Sequence, residues 1–333
     1  MAHAPATWRR TGLAAECSLA MLRTSIIDQP GSNESLFARF RFCKAAELTA
    51  TPGLYCVELE HLAGPDTEYW FVDGPTEHDS NGAIRWSLSK DQLLLHWHGS
   101  GDDIQKSARS AYADLLAMMQ QLGFPHITKG WNHIPLINEG DADLERYRQF
   151  CVGRAEALDR ADPLADRSPP AGTAVGSSSD SAFQVFVLAG KRPPVPLENP
   201  RQVSAYKYPR QYGPRSPSFS RASYQSGNNL FVSGTAAIAG HESIPSATLS
   251  KQVDETMVNW LALLDASQDS LGTGFDLSDG DSFRLYLRHR ADLSPTLAQL
   301  QQNGLDLDKV IALRADICRS ELLVELDGVL RKR

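Results

Sequence analysis

The sequence contains no run approaching the ~18 consecutive apolar residues that a membrane-spanning helix needs. Its longest apolar stretches, Leu93–Leu95, Phe183–Gly190 and Ile311–Leu313, are of strand length. The start, Met1–Trp8, is followed by Arg9 and Arg10 but by no apolar core, so no signal peptide is expected. Cysteine is scarce: Cys17, Cys43, Cys56, Cys151 and Cys318 are odd in number, widely spaced and free of any CxxC pair. That spacing argues against a disulfide framework and against a zinc knuckle. There is no GxGxxG, no Walker lysine and no GxSxG elbow. Basic residues do not dominate either, with 33 Lys+Arg against 40 Asp+Glu and a net charge of −7. A phosphate-binding surface rests on excess Lys and Arg, so a nucleic-acid partner is not expected. What is present is ordinary: 42% hydrophobic and 22% charged residues over 333 positions. At ~150 residues per domain this predicts two domains, or one large single domain, of a soluble, cytoplasmic protein.

The stretch Asp159–Ser181 is rich in Pro, Gly, Ser and Asp and lacks aromatic residues. It reads as a linker or mobile loop, because such a composition buries too little apolar area to order itself. It separates an N-terminal domain, 1–158, from a C-terminal domain, 182–333. The two halves are alike. In the first, strand Leu93–Leu95 precedes a helix with Ile104, Ala108, Tyr112, Leu115, Met119 and Leu122 along one face, then strand Ile127–Ile134. In the second, strand Leu230–Val232 precedes a helix with Leu249, Val253, Met257, Trp260, Leu261 and Leu264, then a strand in which Phe283, Leu285 and Leu287 alternate. Phe183–Leu188 pairs with Val310–Ile317 as the closing strand of each half. The repeated order strand–helix–strand–strand predicts an α+β fold with internal duplication. Helices would cover one face of each sheet and leave the other for a partner sheet or ligand.

The C-terminal segment carries the plainest chemistry. On an extended Val310–Arg319, Ile311, Leu313, Ala315 and Ile317 point one way, and Ala312, Arg314, Asp316 and Cys318 the other. The short Arg319–Glu321 connection allows an antiparallel hairpin, with Leu323, Glu325 and Asp327 sharing a face of the return strand. Glu325 lies between Val324 and Leu326, an apolar setting that raises a carboxyl pKa and suits it to donate a proton. Arg314 offers the donor fork that matches a carboxylate. A solvated surface strand has the same alternation, and the residues alone leave both readings open. Tyr206–Ala222 interleaves three Tyr with Lys207, Arg210, Arg215 and Arg221, as either an aromatic–cation anion pocket or a rigid edge connection. The loop Gly234–Ser243, which includes Gly240, lies between strand and helix, where helix-start amides can face an anion. His96 and His98 share one strand face, but no further Cys or His completes a tetrahedral metal set.

The run Ser220–Gly234 (SRASYQSGNNLFVSG) resembles the start of the RidA (YjgF) fold. The ending Arg314…Val324-Glu325-Leu326 resembles the place where RidA members carry a substrate-binding Arg and a catalytic Glu. RidA proteins are single-domain enamine/imine deaminases, and this chain is over twice that length. A fuller resemblance, covering nearly all of the chain after the first few dozen residues, is to the chorismatases, which have a RidA-like C-terminal domain. It is carried by Gly130–Pro135 (GWNHIP), Glu145–Arg154 (ERYRQFCVGR), Tyr212–Arg221 (YGPRSPSFSR), Ser233–Ser243 (SGTAAIAGHES) and Asp316–Glu325 (DICRSELLVE).

This resemblance implies chorismate as the substrate, a small molecule with two carboxylates and an enol ether. Glu325 aligns with the acid that protonates the enolpyruvyl methylene and so leads to pyruvate release. Arg314 aligns with the substrate-carboxylate arginine, with Arg215 and Tyr212 also holding acidic groups. Arg288 and Tyr286, a Tyr-x-Arg pattern on the preceding strand, and Gly240 complete the candidate substrate contacts. In the hydroxybenzoate-forming branch a cysteine stands where Cys318 stands here. The resemblance therefore implies 3-hydroxybenzoate, with 4-hydroxybenzoate as a second product, for aryl-polyene pigment and quinone pathways. A packed thiol is the plainer role for Cys318. No metal or organic cofactor is implied, so His96, His98, His133, Cys17, Cys43, Cys56 and Cys151 become structural. The N-terminal half becomes a scaffold, which leaves one active site per chain. RidA proteins are trimers with interfacial sites, whereas a duplicated chain buries part of that interface internally, which favours a monomer. Two other readings are a hydrolytic chorismatase that yields 3,4-dihydroxycyclohexa-1,5-dienoate, and a non-catalytic RidA-like protein that binds aromatic acids.

Overall fold

The computed structural model describes residues 22–43, 51–161, 169–225, 228–244 and 248–332. Cys17, the Met1–Trp8 start and residues 162–168 of the expected linker lie outside the described residues. Three sheets, of four, seven and seven strands, face one another, and a two-stranded ribbon (Ile238–Ala239 with Glu242–Ser243) stands apart. One core unites them: Phe37, Phe40 and Trp70 from the four-stranded sheet meet Trp131, Phe186 and Leu188 from the second and Phe231, Tyr286 and Leu313 from the third.

The expected duplication is present, and a third, smaller copy accompanies it. In every sheet four strands have the same order and the same directions. In chain order these are 22–25, 34–42, 54–57 and 67–73 in the first sheet, then 92–99, 126–135, 171–177 and 183–190, then 229–236, 280–287, 310–314 and 324–331. In each, the second and third strands are parallel, and the fourth lies antiparallel between the second and the first. The second and third copies carry helices at matching places: α1 (Ile104–Leu122) and α2 (Arg146–Ala161), then α3 (Leu249–Leu271) and α4 (Leu293–Gln302). The first copy has only a turn between its first two strands. The connections after the third strand close the ring. Glu60–Ala63 pairs with 310–314, Asp316–Ile317 pairs with 171–177, and the Ala182 amide donates to Glu58 Oε2 at 2.7 Å.

The helix stripes follow the sequence pattern closely. Ile104, Ala108, Tyr112, Leu115 and Met119 of α1 are buried, the Asp103 side chain caps its start, and Gly123 ends it at φ +79°, a left-handed turn that favours glycine. In α3, Val253, Met257, Trp260 and Leu264 are buried, but Leu261 is 45% exposed and Leu263 takes the inner position.

Two features differ from the sequence expectation. The stretch 159–181 is not a simple linker: its start completes α2, and Ala171–Ser177 is a buried strand paired in parallel with 126–135. Small residues and Gly fit there because strands from both seven-stranded sheets crowd it, and no bulky apolar residue marks it. The second copy therefore runs on to Gly190, and Phe183–Gly190 corresponds to Val324–Arg331 rather than to Val310–Ile317. Nor does 310–317 form a hairpin with 322–327. The strand stops at Arg314, and Asp316–Ile317 crosses to the neighbouring sheet, which parts Cys318 from Arg314. Among the described residues no helix is long and apolar enough to cross a membrane.

Candidate active site

The second residue of the fourth strand is Glu68 in the first copy, Gln184 in the second and Glu325 in the third. Two of these are fully engaged. Glu68 takes a buried ion pair from Arg284 at 2.7 Å and hydrogen bonds from Ser282 and Trp70. Gln184 accepts from the Glu58 amide and donates to the Cys56 carbonyl, both at 3.0 Å. Glu325 is 3% exposed and has neither hydrogen bond nor ion pair among the described residues. Burial first, then the neighbouring charge of Asp327, pushes it up to about 8, with Lys129 and Arg221 pulling the other way. Near neutral pH it therefore holds a proton, the state required of a general acid.

Its carboxyl opens on a cavity of about 380 Å³ between the second and third copies, within the range of small-molecule sites. Space for it depends on Gly234, at which an added Cβ would stand 2.0 Å from Glu325 Oε1. The second copy contributes Tyr147 and Arg148 from α2. The third supplies Tyr208, Tyr212, Phe219 and Arg221 from the connection between the sheet's edge strand Val195–Leu197 and strand Ala222–Gln225, and Cys318 and Arg319 from the crossing turn. A deeper recess of about 30 Å³ adds Asn132, Cys151, Arg154 and Thr173.

Positive charge is concentrated here. Arg319 stacks on Tyr212 with 4.1 Å to the ring centroid and is tied to Ser243 Oγ and the His241 carbonyl. Arg221 donates to Tyr208 Oη and the Val203 carbonyl, and its Nε lacks a partner. Arg148 leans on Glu145 at 2.8 Å. Arg154 is 5% exposed, faces the recess with the Tyr112 ring 5.0 Å from its guanidinium carbon, and forms no ion pair among the described residues. A buried cation without a counter-ion is costly, so such a recess favours an anionic guest. Desolvation first, then the Glu325 charge, pushes the Cys318 thiol up to about 12, and Cys151 likewise reaches about 12. Both are neutral thiols at neutral pH.

Of the positions expected from sequence, Glu325, Cys318 and Tyr212 meet in this cavity. Tyr286 lies behind it, donating to Asp327 Oδ2 at 3.2 Å. Arg314 does not reach it: it pairs with Asp316 at 3.0 Å and lines a separate cavity with Glu58 and Ser177, because the strand break turns it to the other end of the ring. Arg215 is at the surface, paired with Asp159. Gly240, at φ +60°, pins its loop through hydrogen bonds with Arg201 and Val203 rather than lining the cavity. Arg288 clasps the turn that bears Cys318 and Arg319, donating to the carbonyls of Leu322, Ile317 and Arg319 and pairing with Asp316. Arg288→Ala is expected to cost about 2–3 kcal/mol, since several carbonyls lose their donor at once. A urea titration checks this, and an unchanged midpoint would remove the clasp from the account. His96, stacked on Phe186 at 4.1 Å, His98, paired with Glu58, and buried His133 surround Gln184 instead.

Sequence reasoning missed Tyr147, Arg148 and Arg154 because α2 has no apolar stripe. Its buried face includes Gly153 and Arg154, and a Cβ on Gly153 would meet the Gln105 carbonyl of α1 at 2.0 Å. The run Glu145–Arg154 was the signal available, through the resemblance it carries.

Two α+β units and a smaller all-strand copy place a buried, partnerless carboxylic acid among arginines, an arrangement suited to acid catalysis on a small anion. Comparison with known proteins gives the family. The model "Chorismatase FkbO/Hyg5-like, N-terminal" matches residues 68–189. A chorismatase of Streptomyces rapamycinicus is 35% identical over 273 residues, 79% of this chain and 81% of the relative. A 3-hydroxybenzoate synthase of Streptomyces hygroscopicus is 31% identical over 280 residues, 80% of this chain and 82% of the relative. A chorismatase crystal structure superimposes with a TM-score of 0.80 at 27% identity, covering 94% of this chain and 98% of the other. The chain belongs to the chorismatase family. The α+β architecture expected from the resemblance is the one observed.

Proposed function

We propose that the cavity at Glu325 takes chorismate and cleaves its enolpyruvyl ether, releasing pyruvate. The observation that carries this reading is that Glu325, alone of three equivalent positions, is left without partners, protonated, and facing a cavity rich in arginine. Its proton goes to the terminal methylene of the enol ether. The cation at the ether carbon draws on the ether oxygen and weakens that oxygen's bond to the ring carbon, so the oxygen leaves with pyruvate and the ring aromatises by losing a proton. Arg154, Arg221, Arg148 and Arg319 hold the two carboxylates, the first two with buried guanidinium groups. They take the part that the resemblance assigned to Arg314 and Arg215.

The second product is a hydroxybenzoate, chiefly the 3-isomer with 4-hydroxybenzoate as a minor one. Hydroxybenzoate and pyruvate together contain all the atoms of chorismate, so no water is consumed and the ring gains aromaticity. Cys318 acts as a neutral thiol against the ring. The name of the 31%-identical relative supports this branch over the hydrolytic one. Three sheets already close the ring within one chain, which supports a monomer with one site. The buried neutral thiols Cys151 and Cys318 fit a cytoplasmic setting.

Incubation of the purified protein with chorismate and no added cofactor tests the reading. Pyruvate with equimolar hydroxybenzoate is expected, and a non-aromatic diol beside the pyruvate would move the chain to the hydrolytic branch. In Cys318→Ala pyruvate release should persist while the aromatic share falls by more than half. An unchanged product ratio would return Cys318 to a packing role.

A further inference from the structure

We propose that Asp327 is a positioning residue, a fixed negative charge that holds the proton on Glu325, and that the second copy exists in part to fix it there. This rests on the reading of Glu325 as the proton donor. Asp327 is one strand period beyond Glu325, so both side chains leave the same face of strand 324–331. It is 1% exposed, out of reach of solvent screening. Its Oδ2 accepts from Thr173 Oγ1 at 2.7 Å, Trp131 Nε1 at 3.1 Å and Tyr286 Oη at 3.2 Å, and lies 3.2 Å from Lys129 Nζ. Trp131 and Lys129 can only donate, so this oxygen serves as an acceptor.

Thr173, Trp131 and Lys129 all belong to the second copy. The half expected to be a scaffold thus supplies two of the four groups that set this charge, Trp131 and Lys129, and the stretch expected to be a linker supplies a third, Thr173. Thr173 also accepts the Gly234 amide at 3.0 Å, which ties the hub to the residue that makes room for Glu325. The equivalent positions are Phe186 and Trp70 in the other two copies, where the second residue of the strand is already engaged. The buried acid follows only where the partnerless glutamate is.

Glu325 is faced by Lys129 from strand 126–135, by Tyr147 and Arg154 from α2, and by Arg221 ahead of strand 222–225. Tyr286 from the neighbouring strand and Cys318 from the crossing turn are also close, and Arg319, Glu321, Glu145, Arg148 and Cys151 line the same cavity and its recess. Of the cations, Lys129 and Arg221 oppose the hold, and Lys129 is itself drawn down to about 8, chiefly by burial.

The test is the pH profile of kcat/KM for chorismate in wild type, Asp327→Asn and Lys129→Met. The inference expects the alkaline limb of Asp327→Asn to move down by about one pH unit or more, with activity near pH 6 retained. At pH 8 that is a loss of about fivefold or more relative to wild type, which is itself half deprotonated there. Lys129→Met should move the limb the other way. An unmoved limb in Asp327→Asn, whatever the size of the uniform loss, would overturn the inference. Should Asp327→Asn not fold, the Lys129→Met limb decides, and a limb unmoved or shifted down would overturn it. Glu325→Gln separates the two ideas. If that variant turns over normally, the proton-donor reading itself fails; if it is inactive while the Asp327→Asn limb stays fixed, only this inference fails.

Discussion

Glu325→Gln is expected to lower kcat with chorismate by about 10²–10⁴-fold, the loss typical of a removed general acid, with affinity changed only a few-fold. The amide is isosteric with the protonated carboxyl and equally neutral, so the cavity keeps its shape and its arginines keep their places. Gln184 already fills the equivalent position in the second copy as an amide, so the fold accommodates the residue there. Calorimetric titration with chorismate under conditions of no turnover checks affinity, and stopped-time pyruvate assays check rate. For the wild type the sign of the pH dependence follows from the group's elevated position near 8: the acid form persists below it, and activity falls as pH rises through it. Unaltered pyruvate formation in the amide variant would remove Glu325 from the chemistry.

Gly234→Ala is the second large effect, and it acts through space alone. The new Cβ would lie 2.0 Å from Glu325 Oε1 and 2.7 Å from its Cδ, well inside contact distance. Neither side yields readily. Gly234 is held by Thr173, and strand 324–331 is paired on both edges. Relief must come from turning the carboxyl away, and a displacement of about 1 Å from the reacting methylene costs on the order of 10²-fold in rate. The variant should bind chorismate more weakly as well, since the methyl also enters the cavity. A melting temperature close to wild type with a rate loss of that order is the expected pair of results. Full activity would mean that the carboxyl is not confined where the structure places it.

Much of the fold was legible because its signals are periodic. The α1 and α3 stripes, the alternation of Phe283, Leu285 and Leu287, and the resemblance of the halves all reflect one buried face per element. The first, smaller copy was not legible, since no helix among its described residues announces it as α1 and α3 announce the other two. Strand 171–177 was hidden for a related reason. It is built of Ala, Gly, Thr, Val and Ser at a crowded junction, where small size is what packing demands and what disorder also looks like. In the site, Glu325 stood out because a lone acid between Val324 and Leu326 contradicts its setting. Arg314 misled because it shares a strand pattern with Cys318, and only the crossing of Asp316–Ile317 to another sheet separates them. Arg154 is a buried cation that nothing local betrays, whereas Arg221 stood in the Tyr206–Ala222 run, whose own Tyr208 and Phe219 rings cover it.

The most direct test of the account is to run the reaction in D₂O and convert the released pyruvate at once to lactate with a coupled dehydrogenase. Mass spectrometry then reads the methyl group. Protonation of the methylene by an exchangeable carboxylic acid predicts one deuterium in the methyl group of each product molecule, formed in step with the hydroxybenzoate. Pyruvate without that deuterium, or no pyruvate at all, would contradict proton donation by Glu325.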